Sequence, residues 1–250
     1  MRPVFRDFLR VGMMAATLAL SGLLTAPAVA AGPAVVGAPL VSVVRTPSGG
    51  STGKPLYVAL HGLGSDENDL LELAPLLPKD VVFASLRAPY TLAPGHYAWF
   101  ASRHVGDRLD GDPAQIQASE KAILRSVDAL IAKYHVDPHR VVVFGFSQGA
   151  IMSYDLALAE PLKFEGIGIL SGALFDSVKA RLGAAHEKLP THVFVGHGLA
   201  DPRIPPTYAR EAADWWTTHG AEVQLHLYPG MQHEVGEQEI RDFSQWLQQQ

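Results

Sequence analysis

Cysteine is absent from the 250-residue chain. A thiol nucleophile, a disulfide framework, a thiolate metal site and a lipid-modified cysteine anchor are therefore all excluded. Charge is sparse as well. Asp, Glu, Lys and Arg make up 18% of residues, the formal net charge is -5, and no run of Lys or Arg is present. A polyanion-binding role has no electrostatic footprint here, and no nucleic-acid partner is expected. There is no internal repeat, low-complexity segment or linker. The most apolar stretch, 11–24, is about 14 residues, short of the roughly 20 needed to span a bilayer.

That stretch belongs instead to an export signal. Arg2, Arg6 and Arg10 precede it, and Ala28-Val29-Ala30 has the small-x-small form of a signal-peptidase site. The expectation is a cleaved signal peptide over 1–30. A single catalytic domain over 31–250 would then be periplasmic or secreted, with no stable membrane anchor. The whole chain's hydrophobic content of 48% suits one sizeable core.

Past residue 30 the pattern alternates between strands and helices. Buried strands are predicted at 55–60, 81–86, 141–146, 166–171, 192–196 and 223–228, with an edge strand at 35–45. Helices are predicted at 67–77, from Pro113 behind an Asp112 cap, at 150–160, 206–219 and 234–248. Residues 90–111 show no clear periodicity and read as a long loop. Alternation of this kind predicts an α/β fold, a mostly parallel sheet with helices on both faces. Its site should lie at the carboxyl ends of the strands.

Those ends carry the chemistry. Val141–Phe144 runs into Gly145-Phe146-Ser147-Gln148-Gly149, a Gly-x-Ser-x-Gly turn between a strand and a helix, which is the form of a nucleophile elbow. The motif by itself is common; its strand and helix give it weight. Asp201 follows the 192–196 strand and His233 follows the last one. Ser147, Asp201 and His233 thus stand in the order nucleophile, acid, base. His233 would take the Ser147 proton and Asp201 would orient the imidazole. Asp155 and Asp176 are weaker candidates for the acid, lying on the elbow helix and after an earlier strand. His61 is read as shaping its turn and His197 as supporting the acid loop. The oxyanion hole is assigned to two backbone N–H groups, Gln148 after the nucleophile and Leu63 in the Gly-rich turn His61-Gly62-Leu63-Gly64. His233-Glu234-Val235-Gly236-Glu237 lacks the second His of a zincin helix, so no metal is expected, and no cofactor.

Five pieces together resemble the phospholipase/carboxylesterase family of α/β-hydrolases, which includes acyl-protein thioesterases. They are Leu60–Gly64 with Asp66 and Asn68, Arg87-Ala88-Pro89, Trp99-Phe100, Gly145–Gly149, and His197–Asp201 with His233. The resemblance spans about residues 55–234. It implies the α/β-hydrolase fold and a serine carboxylesterase with Ser147, Asp201 and His233 as its triad. It also implies Leu63 and Gln148 as oxyanion donors, with Trp99 near the acyl groove. Two positions depart from the family pattern, His96 where a Gly is common and Ala101 where an Asp is common. Both lie in the segment taken to contact substrate.

The expected substrate is a small-molecule carboxylic ester of short to medium chain, with thioesters and lysophospholipids as related options. An alternative is a feruloyl or polyester esterase in which Trp99, Phe100 and Tyr97 stack on an aryl group. An alternative of another class is a catalytically silent binding protein on the same fold.

Overall fold

A computed structural model describes residues 38–181, 189 and 191–250. The proposed export signal lies outside the described residues. A seven-stranded sheet forms the centre. Its strands are β1 (Ser42–Arg45), β2 (Leu56–Leu60), β3 (Val82–Leu86), β8 (Val141–Phe146), β9 (Gly166–Leu170), β10 (His192–Gly198) and β11 (Glu222–Tyr228), in the order β1-β3-β2-β8-β9-β10-β11. All pairs are parallel except β1 with β3. The strand order reverses direction between β2 and β8. A crevice opens at the carboxyl ends at such a switch point, and the two loops leaving it are the Gly62 turn and the Ser147 elbow.

Strand residues alternate between two apolar layers. Val141 and Val143 join one layer, Val142 and Phe144 the other. The first layer is covered by α1 (Pro113–Tyr134), α2 (Gln148–Ala159) and α4 (Thr207–Thr218); the second by α5 (Glu237–Leu247). The start of α1 follows its sequence signals, with the Asp112 side chain accepting from Gln115 N–H at 2.9 Å and Pro113 in the first turn. A short helix, α3 (Asp176–Lys179), was not expected. Among the described residues no helix is long and apolar enough to cross a membrane.

Two segments differ from expectation. The helix predicted at 67–77 is a 3-10 turn over Leu70–Leu76 containing Pro75. Pro75 has no N–H to continue an α-helical ladder, so only the tighter, shorter form persists. The predicted loop at 90–111 is two β-hairpins. One pairs β4 (Tyr90–Ala93) with β5 (His96–Ala98) around Pro94-Gly95. The other pairs β6 (Ser102–Val105) with β7 (Arg108–Gly111) around Gly106-Asp107.

Candidate active site

Ser147 occupies the turn between β8 and α2 with φ 54° and ψ -114°. A side chain held at positive φ costs of order 1–3 kcal/mol and persists where its surroundings dictate it. Here they do. A Cβ on Gly145 would lie 2.3 Å from the backbone of Gly149, and one on Gly149 would lie 1.9 Å from the Leu60 carbonyl oxygen. Only glycine fits on either side of the nucleophile position. Ser147 N–H donates to the Leu170 carbonyl at 3.0 Å, fastening the elbow to β9.

The three residues picked from loops far apart in sequence meet. His233 Nε2 is 2.9 Å from Ser147 Oγ, and His233 Nδ1 is 2.7 Å from Asp201 Oδ2. With Nδ1–H donating to the carboxylate, Nε2 is free to accept the hydroxyl proton. The His233 ring also packs on Phe146, with centroids 4.9 Å apart.

The acid and base loops are stitched together by backbone. Leu199 N–H donates to the Tyr228 carbonyl and Ala200 N–H to that of Met231, both at 3.0 Å. Asp201 is buried, and burial alone would raise its pKa. Hydrogen bonds from His197, His233 and the N–H groups of Ile204 and Arg203 outweigh this and hold it far below the usual carboxylate range. His197 Nε2 serves two acceptors, the Ile204 carbonyl at 2.8 Å and Asp201 Oδ2 at 3.3 Å, which is the supporting position expected for it. The rival acids point elsewhere. Asp155 pairs with Arg181, and Asp176 with Lys179 and Arg108.

Leu63 and Gln148 lie on the two loops that flank the crevice. A Cβ on Gly62 would sit 3.6 Å from Ser147 Cβ, so this turn passes directly beside the elbow. Among the described residues neither the Leu63 N–H nor the Gln148 N–H has an acceptor. The second stands at the N-terminus of α2, where the helix dipole favours negative charge.

Trp99 and Phe100 require a correction. Their exposures are 0% and 1%, so neither presents a face to substrate. Phe100 packs edge-on against Phe175 in the core. Trp99 is a brace: its indole N–H donates to the His61 carbonyl at 2.8 Å. The Gln148 side chain holds the same segment, accepting from Trp99 N–H at 2.9 Å and donating to the Phe100 carbonyl at 2.7 Å. His61 is buried, accepts from Ala88 N–H through Nε2 and donates through Nδ1 to the Gly62 carbonyl. Burial pushes its pKa down to about 4, so it stays neutral. From outside, β5 fastens the turn. Gly64 N–H donates to the Tyr97 carbonyl at 2.7 Å, Tyr97 N–H to the Ser65 carbonyl at 3.0 Å, and His96 Nδ1 to the Gly64 carbonyl at 2.6 Å.

The sequence reading missed this brace. The Pro94-Gly95 pair between short strands was the available signal. Among the described residues no group of three or more His, Asp or Glu side chains is arranged to hold a metal ion.

The order and geometry agree with a family model described as Phospholipase/Carboxylesterase, which matches residues 43–250. The chain belongs to this family. It is a serine hydrolase of the carboxylic-ester type. Acyl-protein thioesterase 1 of Kluyveromyces lactis is 27% identical over 228 residues, covering 83% of this chain and 96% of its own. The crystal structure of esterase PE8 superposes with a TM-score of 0.73 at 24% identity, covering 85% of this chain and 99% of that one. The Bacillus cereus carboxylesterase gives 0.71 at 22%, with 84% and 94% covered. These two structures share the α/β-hydrolase fold.

Proposed function

We propose that this family member is an exported esterase that hydrolyses short- to medium-chain carboxylic esters, thioesters and lysophospholipids included, through an acyl-enzyme on Ser147. The observation that carries the reading is the unbroken chain from Asp201 Oδ2 through His233 to Ser147 Oγ on a strained elbow. His233 Nε2 takes the hydroxyl proton as Ser147 Oγ bonds to the ester carbonyl carbon. The oxygen, now negative, is received by the Leu63 and Gln148 N–H groups. Collapse breaks the bond to the leaving oxygen or sulfur, which receives the proton from His233. Water then repeats the sequence on the acyl-enzyme, releasing the acid and restoring Ser147. Asp201 stays ionised throughout and stabilises the imidazolium.

Of the three rings in the feruloyl-type reading, Trp99 and Phe100 are buried, which leaves that reading Tyr97 alone. Export is supported by Arg2, Arg6, Arg10, the apolar run and Ala28-Val29-Ala30. Cleavage after Ala30 is tested by the mass of the mature form; an uncleaved product would refute it.

Ser147→Ala should fold normally and lose at least about 10⁴-fold in rate on p-nitrophenyl esters, with fluorophosphonate labelling abolished. Full activity in that variant would overturn the assignment. A panel of esters graded in chain length, with thioester and feruloyl members, tests the substrate range.

A further inference from the structure

Arg87-Ala88-Pro89 stands out in the sequence but takes no part in the triad. These residues leave β3, beside β2 in the sheet, and meet the oxyanion turn on both flanks of Leu63. Before Leu63, Ala88 N–H donates to His61 Nε2 at 3.0 Å. After it, Arg87 forks onto Glu67. Arg87 Nε donates to Oε2 at 2.6 Å, and a terminal guanidinium nitrogen donates to Oε1. Glu67 is buried, and Arg87 holds its carboxyl below the usual carboxylate range, so the pair is charged at neutral pH. The same guanidinium lies over the Tyr97 ring, 4.6 Å from its centroid. Tyr97 is the residue whose main chain closes the turn from outside, through Gly64 N–H and the Ser65 carbonyl. Asp66, the other acid of the turn, accepts from Asn68 N–H at 2.8 Å instead.

Leu63 depends on such support. Among the described residues its own main chain makes no hydrogen bond to other backbone groups. The turn is closed across it by Ser65 N–H donating to the Gly62 carbonyl at 3.2 Å. The direction of the Leu63 N–H therefore follows from where 61–62 and 64–67 are held. A pin that served only to tie down a loop would touch it once. Here Ala88 holds the segment before Leu63, and Arg87 joins the segment after it to the strand that bonds it.

We propose that Arg87 is a positioning residue for the oxyanion hole: its guanidinium clamps Glu67 to the Tyr97 strand and so sets the Leu63 N–H toward the carbonyl oxygen of the substrate. The catalytic part of this inference rests on the esterase reading above.

The clamp uses properties that arginine combines. Its planar fork meets both carboxylate oxygens in one plane and leaves its face free for an aromatic ring. Lysine carries the same charge on a single nitrogen and cannot make the fork and the stack together. Removing the side chain outright would leave Glu67 charged and buried without a partner, a cost large enough to disrupt the fold. The test therefore keeps a cation at position 87.

Arg87→Lys should lower kcat on p-nitrophenyl esters about tenfold with KM within about twofold of wild type, less than the roughly 10²–10³-fold of losing an oxyanion donor outright. Tyr97→Leu keeps the main-chain bonds and removes the ring; it should cost about three- to fivefold in kcat, and Tyr97→Phe, which restores the ring face, should recover that loss. Deuterium uptake over residues 61–68 should rise in Arg87→Lys and Tyr97→Leu, while uptake around Ser147 should not. Should Arg87→Lys fail to fold, Tyr97→Leu against Tyr97→Phe reads the same clamp. A lower Tm with kcat unchanged would make Arg87 a structural pin, and a change in KM alone would make it a substrate contact; either result overturns the proposal, as does wild-type uptake over 61–68 in the variants. If the wild type hydrolyses no ester, the esterase reading fails, and the exchange data still decide whether Arg87 clamps the turn.

Discussion

The two halves of the site are held in different ways. The Asp201 and His233 loops leave neighbouring strands and are joined by main-chain hydrogen bonds, Leu199 to Tyr228 and Ala200 to Met231. Most side-chain changes leave such bonds in place. The oxyanion turn at Gly62–Gly64 leaves β2 and adds side-chain ties to its two main-chain bonds with Tyr97: the Trp99 indole, itself clasped by the Gln148 amide, and the His96 ring. Each of these is a single side chain that one substitution removes. On the first side the reacting groups should dominate the rate. On the second, residues that never touch substrate should matter too.

The largest effect belongs to the first side. Asp201→Asn should cost about 10⁴-fold in kcat, because an amide cannot hold the Nδ1–H tautomer or stabilise the imidazolium. Circular dichroism should show the fold retained. The pH profile sharpens the point. Asp201 is held well below the usual carboxylate range, so the stability it contributes is present above about pH 4 and lost only as pH falls below that. Between about pH 5 and 8 the unfolding curves of the wild type and Asp201→Asn should therefore run parallel, and divergence within that window would overturn this reading of Asp201.

Legibility in the sequence follows the same division. The Ser147 elbow, Asp201 and His233 sit at the ends of apolar strands whose burial is written in runs such as Val141–Phe144, and their chain order is a pattern over the whole molecule. The sheet and its two helical layers were readable for that reason. The segment 90–111 was not. Its strands are three or four residues long and mostly exposed, as in Ser102–Val105, so they carry neither an apolar run nor a clean alternation. Trp99 reads as a substrate contact through the family resemblance, and both rings through their place in an apparent loop. Once the loop is a pair of hairpins, the same rings turn inward. Gln148 illustrates both cases: its backbone N–H was found from the motif, while its side-chain clasp on Trp99 and Phe100 needed the fold. Pro75 was present to be read, and shortens its helix as a Pro should.

On the second side the expected losses step down with distance from the turn. Gln148→Leu removes the clasp on both Trp99 N–H and the Phe100 carbonyl and leaves those buried groups unpaired, at about 1–3 kcal/mol each. It should lower kcat about 10²-fold, near the effect of losing one oxyanion donor, with a clear drop in Tm. Trp99→Phe keeps the packing and deletes only the bond to the His61 carbonyl; about 10-fold in kcat is expected, with KM little changed. If either variant acted on KM alone, the brace would be a substrate wall after all.

The smallest effect tests the part of the comparison peculiar to this chain. His96 stands where the family pattern commonly has Gly, and its exposed ring donates to the Gly64 carbonyl at 2.6 Å. The turn keeps its two main-chain bonds with Tyr97 when the ring is removed. His96→Gly should therefore cost only about two- to fivefold in kcat, a worth typical of one exposed hydrogen bond. Gly95 already supplies the positive φ of the hairpin turn, at 78°, so a second Gly beside it mainly loosens the unfolded and folded strand end. His96→Gln separates these two causes, since its amide can donate to Gly64 without adding backbone freedom. Recovery in the Gln variant assigns the loss to the hydrogen bond. A shared loss in both assigns it to the imidazole itself, and wild-type rates in both would show that the main-chain pair with Tyr97 alone holds the oxyanion turn, making the second side as robust as the first.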